Sequence, residues 1–185
     1  VRLRRFAAGP PPAPAPPHAP GQPRPAAATK DASNGSRRIQ TRRSGVHGKG
    51  VYAVVDLAEG ETLIEYVGEV ISWSEAQHNN TQEPDHPNHT FYFHVDEERV
   101  IDALDGGNCS RCVNHACAPN CEAEEQGGRM FIKALRNIPA GEELNYDYGL
   151  MIDERYTAKL KAQYPCWCGA ANCRGTLLAP KRGRR

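Results

Sequence analysis

The 185-residue chain has no apolar run long enough for a signal peptide or a membrane span. It has no cysteine before residue 109, so no cysteine-rich module is expected within residues 1–43. It has no phosphate loop, because Gly48-Lys49-Gly50 is too short and no Gly-Lys-Ser/Thr helix start follows. Large apolar residues are scarce in residues 1–36, which hold nine of the fifteen prolines and many alanines. Such a segment has little to bury and few donors to pair, so it is expected to be a disordered or locally extended tail. Its arginines lack the amphipathic spacing of a targeting helix. The basic ends of the chain lack interleaved aromatics, which argues against a specific nucleic-acid site and leaves at most phosphate contact through the tails.

Charge is unevenly placed. Residues 1–43 carry nine Lys/Arg against one Asp and residues 180–185 add four, +12 together, so a net charge of +1 leaves −11 for the remainder. An acidic folded part would speed encounter with a lysine-rich protein. It equally suits a generic soluble surface. It does not suit a zinc protein that binds nucleic acid.

What is present is concentrated in residues 105–121, DGGNCSRCVNHACAPNC, which hold four of the seven cysteines and two Asn flanking a His. Taken singly, Cys109, Cys112 and Cys121 read as small buried hydrophobes. Cys117 reads differently, because PCWCGAANCRG near the C-terminus sets Cys166, Cys168 and Cys173 in a C-x-C-x4-C array. Thiolates at that spacing converge on one tetrahedral ion, and a closed structural zinc site needs four ligands. With no secretory signal, seven cysteines at short spacing fit a reducing compartment and metal binding better than disulfides.

The length allows one domain with residues left over. Strand-like runs occur at 51–53, 63–67, 69–71, 91–96, 129–135 and 144–148, with turns between them. Ser72 to Gln77 reads as a capped helix start, and residues 153–163 as one short helix. His78, His86, His89 and His94 are irregularly spaced among prolines, the pattern of a solvated loop rather than a metal site. The fold class is therefore mainly β with few short helices.

NHACAPN (114–120), EELNYDYG (142–149) and CWCGAANCRG (166–175) resemble, in this order, the SET-domain protein lysine methyltransferases with a C-terminal post-SET zinc element. HGKGVYA (47–53), EYVGEVI (65–71) and VDEERVIDA (95–103) are similar to further segments of that family. The resemblance implies small curled β-sheets, with residues 111–121 passing close to 142–149 in a knot-like arrangement. It implies a disordered tail over 1–36, a SET domain over 37–150, a connecting helix over 151–164, the post-SET element over 165–180 and a basic tail over 181–185. It implies S-adenosylmethionine as cofactor and one structural zinc held by Cys117, Cys166, Cys168 and Cys173. Tyr148 matches the catalytic tyrosine; Tyr146, Tyr66 and Phe93 match the aromatic wall. His47, Gly48, Lys49 and Gly50 match the turn that meets the cofactor's carboxylate and amine, while Asn114 and His115 match its adenosine pair. The resemblance further implies that Arg111 braces that segment and that Trp167 faces the adenine. Ala116 stands where the family has Ser, and Phe91 where many members have Tyr.

The activity implied is methyl transfer to a lysine of a basic, histone-like protein. Tyr146, where trimethylating relatives carry Phe, points to mono- and dimethylation. A catalytically silent zinc-stapled SET module that binds peptide or cofactor is the alternative. A cytoplasmic or chromosome-associated protein is expected, neither secreted nor membrane-bound, with a monomer as the default.

Overall fold

In the computed structural model, residues 38–80, 92–96, 98–104, 106–152 and 154–181 are described. Phe91, His86 and His89, and the segments 1–36 and 182–185, lie outside them.

A hairpin opens the structure. β1 (Ile39–Arg43) pairs in full antiparallel register with β2 (Lys49–Ala53). Ile39, Val51 and Ala53 point inward and their neighbours outward, the two-residue period of a half-buried strand. β3 (Thr62–Tyr66) leads into β4 (Glu69–Ser72). The expected helix start then appears as α1 (Trp73–Asn80). Glu75 accepts from the Ser72 N–H at 2.8 Å, and the Ser72 hydroxyl accepts from the Glu75 N–H at 3.2 Å, a reciprocal capping box. β4 pairs with β6 (Arg99–Asp102), which pairs with β5 (Tyr92–His94), closing a small three-stranded sheet.

The remaining strands build the larger sheet. After a 3-10 turn, Cys109–Cys112, come β7 (Asn114–His115), β8 (Cys121–Gln126), β9 (Arg129–Ala134) and β10 (Glu143–Tyr146). The path runs β1-β2-β10-β8-β9-β3, with β7 also on β10. β10 pairs antiparallel with β2 and parallel with both β7 and β8. The close approach of 111–121 to 142–149 is thus present as strand pairing. The second helix is shorter than its composition suggested: α2 is Ala158–Gln163, because the only cap is Thr157, whose hydroxyl accepts from the Leu160 N–H.

Two turns interlock with near two-fold regularity. Leu57 and Ile138, both buried, exchange backbone hydrogen bonds at 2.9 Å. The Asp56 carboxylate accepts from the Ala140 N–H, and the Asn137 side chain accepts from the Glu59 N–H. Gly60 donates to Ala134 and Gly141 to Ala53, while Ala134 and Ala53 donate back to Glu61 and Glu142. The pair fixes the exits of β2 and β9 together.

Asn120, fully buried, knits residues 114–121 to β10. Its amide NH2 donates to the Glu142 carboxylate and the Glu143 carbonyl, both at 2.8 Å. Its side-chain oxygen accepts from the Asn145 N–H at 2.8 Å, and the Asn145 side chain accepts from the Asn120 N–H at 3.1 Å. Truncation would leave buried partners unsatisfied, at a cost of about 1–3 kcal/mol. Asn120→Ala is therefore expected to lower the denaturation midpoint with little change in m-value; a parent-like midpoint would show that the network contributes nothing to stability.

Candidate functional site

β10 carries the acid that organises one side of the site. The Glu143 carboxylate accepts from the Ser44 hydroxyl at 2.7 Å, the Tyr52 hydroxyl at 2.8 Å and the Asn114 amide at 2.8 Å. The same Asn114 NH2 reaches the carbonyls of Lys49 at 3.0 Å and His47 at 3.3 Å. His47, Gly48, Lys49, Gly50 and Asn114 are thus brought together from two distant segments. Gly50 has a reason that sequence reasoning assigned to a ligand: a Cβ there would sit 2.1 Å from a Glu143 carboxylate oxygen. Gly48, at φ +49, has nothing within 4 Å of its Cβ position and is required by the turn itself. The Arg111 guanidinium donates to the carbonyls of Ala103 and Leu104 at 2.9 and 2.7 Å. Through these bonds it braces the backbone that follows β6.

On the other side, rings line up. Centroids lie 5.1 Å apart for Tyr66 and Phe93, 6.1 Å for Phe93 and Tyr146, and 4.9 Å for Tyr146 and Tyr148. The strand ends at Tyr146, so Tyr146 and Tyr148 do not share a strand face, yet their rings remain adjacent. Burial raises the phenols of Tyr66, Tyr146 and Tyr148, which keeps all three protonated. The Tyr148 hydroxyl donates to the Val113 carbonyl at 3.0 Å. A cleft of about 140 Å³ opens here, lined among others by Phe93, His94, Glu122, Tyr146 and Tyr148.

His115, only 4% exposed, joins this run to the thiols. Its Nδ1 accepts from the Tyr148 N–H at 3.1 Å, and its Nε2 lies 3.4 Å from the Cys117 Sγ. Burial pushes its pKa down to about 4, with Asp147 pulling it up and Arg174 pushing it down, so the ring is neutral near pH 7.

The sulfurs of Cys117, Cys166, Cys168 and Cys173 all lie within 4.8 Å of one another. Those of Cys117 and Cys166 are 3.8 Å apart. A tetrahedron of 2.3 Å metal–sulfur bonds has edges of about 3.8 Å, so the four thiols fit a metal ion. Backbone N–H groups of Cys117, Arg174 and Gly175 point at the sulfurs of Cys168, Cys117 and Cys173, each at 3.4 Å. Burial works to raise the Cys168 thiol, but backbone donors from Cys117 and Ala170 and the neighbouring thiols outweigh it and bring its pKa to about 7. Trp167, between two of these residues, is 64% exposed.

Two residues missed in the sequence lock the C-terminal element to the tyrosines. Arg174 forks onto Asp147 with hydrogen bonds of 2.7 and 2.9 Å. Burial would raise the Asp147 carboxyl, but Arg174 and the Gly149 N–H more than offset it, so it stays below the usual carboxylate range. Both residues stood inside the quoted segments with opposite charge, which was the available signal. Glu143 gave none, since its three partners are scattered along the chain.

Comparison with known proteins agrees with this geometry. The SET domain family matches residues 48–149. The chain is 41% identical over 144 residues to the Saccharomyces cerevisiae histone-lysine N-methyltransferase named as H3 lysine-4 specific, covering 75% of this chain and 13% of that protein. It is 38% identical over 140 residues to a histone-lysine N-methyltransferase of Drosophila melanogaster, covering 74% and 6%. It is 37% identical over 140 residues to human histone-lysine N-methyltransferase 2D, covering 74% and 2%. The chain thus spans only a small part of the length of these relatives. With over half of its residues matched and the curled sheets and cysteine cluster in place, the chain belongs to the SET domain family.

Proposed function

We propose that this chain is an S-adenosylmethionine-dependent protein lysine N-methyltransferase that mainly mono- and dimethylates a lysine of a basic, histone-like protein. Histone H3 lysine 4 is the first candidate, because it appears in the name of the yeast relative. The observation that carries the reading is Tyr148, a protonated phenol at the end of a ring run, anchored on Val113 just before the Asn114 that holds the glycine turn.

The residues fit the cofactor. Space is open at Gly48, and Trp167 presents its indole to solvent. His47, Gly48, Lys49 and Gly50 would hold its carboxylate and amine, and Asn114, His115 and Trp167 its adenosine, with Arg111 bracing the segment. When bound, S-adenosylmethionine supplies a methyl group carried on a sulfonium sulfur.

The chain's own residues prepare the acceptor. A lysine amine has a pKa of about 10.4 in water, and an ammonium has no lone pair to donate. The walls of Tyr66, Phe93 and Tyr146 exclude water and favour the neutral amine. They also restrict its approach, which lowers the barrier through orientation. The Tyr148 hydroxyl donates its hydrogen bond to the Val113 carbonyl, so its oxygen keeps lone pairs for a weak C–H···O contact. Cys117, Cys166, Cys168 and Cys173 would hold one zinc, with four protein ligands and hence a structural role.

In this reading residues 37–150 form the SET domain, 151–164 a connector and 165–180 the zinc element, with tails at 1–36 and 181–185. The protein works on chromatin as a monomer and touches nucleic acid at most through the tails. No helix among the described residues is long and apolar enough to cross a membrane.

Three outcomes are expected. Tyr148→Phe should retain the fold and calorimetric cofactor binding while turnover falls about tenfold or more; a parent-like rate would remove Tyr148 from the mechanism. Metal analysis should find about one zinc per chain, lost in Cys173→Ser; full zinc in that variant would mean other ligands. Tyr146→Phe should shift products toward trimethyllysine in intact-mass time courses, and predominant trimethylation by the unaltered protein would overturn the assigned product degree. Cofactor binding without transfer to any histone would indicate a silent module.

A further inference from the structure

Three cysteines serve neither the thiol cluster nor the aromatic run, and one of them, Cys121, is fully buried. Cys109 and Cys112 bound the 3-10 turn Cys109–Cys112; both are half-buried and both are free thiols. On a 3-10 helix, residues three apart are eclipsed, and a rise of about 2.0 Å per residue sets their Cα atoms about 6 Å apart. Disulfides are commonest at a Cα separation of about 5.5–6 Å. The two thiols are also electrostatic neighbours: burial first, then Cys112, raises the Cys109 thiol. After burial, Cys112 is the group that most raises the Tyr148 phenol.

We propose that Cys109 and Cys112 are an oxidation site that closes reversibly into a disulfide and slows methyl transfer. The oxidant is a small-molecule disulfide of the glutathione class. One protein thiolate attacks a sulfur of that disulfide and releases a small thiol, leaving a mixed disulfide. The second protein thiolate attacks the protein sulfur of the mixed disulfide, the protein S–S bond forms, and the second small thiol leaves. The protons of the two protein thiols end on the two small thiols, so one small disulfide is reduced as the protein pair is oxidised.

Closure acts on the site through the turn. Eclipsed Cβ atoms begin about 6 Å apart and a disulfide holds them near 3.8 Å, so the turn must tighten. Val113 follows directly: its N–H bonds to the Ser110 carbonyl at 3.0 Å, and its own carbonyl receives the Tyr148 hydroxyl at 3.0 Å. Compression of the turn shifts the atom that anchors the phenol. This second half rests on the proposed methyl transfer, whereas the cross-link does not.

The chain supplies a convenient test, because Arg111 lies between the two cysteines and trypsin separates residues 100–111 from 112–129 unless a disulfide joins them. The full zinc-loaded chain is incubated with oxidised glutathione, alkylated, digested without reduction and read by fragmentation mass spectrometry. The expected result is a 100–111 to 112–129 link mapped to Cys112, absent in Cys109→Ser and Cys112→Ser, with unchanged zinc content. Turnover of the parent should fall and recover with dithiothreitol, while both variants keep their turnover under oxidant. Separate peptides, glutathione adducts alone, or a link to Cys117 or Cys121 would overturn the site. A link with unchanged parental turnover would overturn its effect on the reaction. Absence of methyl transfer by the reduced parent would instead refute the function proposed above and leave the cross-link standing.

Discussion

The four-residue strand β10 makes backbone pairs with three other strands, and the site exists only where they meet. One partner, β2, lies about ninety residues earlier in the chain. The pairings with β7 and β8 are parallel and cover one or two residues each, too few to hold by ladder alone. The side-chain amides of Asn120, which is buried, and Asn145 supply what the ladder lacks, each accepting from the other's backbone N–H. Glu143 then turns its side chain back across β2 and holds the glycine turn and Asn114 in one place. The distant pairing must be closed before any of the functional side chains has its neighbours.

Much of the polar chemistry near the site is internal. The Asn114 amide holds backbone carbonyls, the His115 ring spans from the Tyr148 N–H to the Cys117 sulfur, and Arg174 neutralises Asp147. The thiol cluster is therefore tied to the tyrosine segment by His115 as well as by the Asp147/Arg174 pair. A metal closing the cluster would stiffen the segment that presents Tyr148, without touching a reacting atom.

The sequence was legible where patterns are local. Met130, Ile132 and Ala134 alternate inward and announced β9, and Ser72 with Glu75 announced the start of α1. The C-x-C-x4-C spacing pointed to a cluster that the structure assembles together with Cys117. β8 was silent because its sequence, CEAEEQ, is mostly acidic and only Cys121 and Ala123 are buried. β1 was silent because one residue of IQTRR, Ile39, is buried; its partner strand holds it in place. Residues 153–163 looked helical throughout, yet composition cannot show that the cap comes only at Thr157. Glu143 was invisible as an organiser because its role lies in long-range partners, which no window of sequence displays.

The interlocked turns around Leu57 and Ile138 set a rule for how this architecture can vary. Each turn donates to the other's carbonyls and accepts from the other's amides, and each supplies one side-chain acceptor to its counterpart. A residue added to either would slip that register and strand donors on both, so the two connections are length-locked as a couple. Growth in this chain is confined to other joints. The turn between β8 and β9 offers one, since Gly127 and Gly128 there are exposed and their Cβ positions are clear of neighbours. Sequence drift in length should therefore gather at such joints and spare the clasp, even though all of them are surface turns.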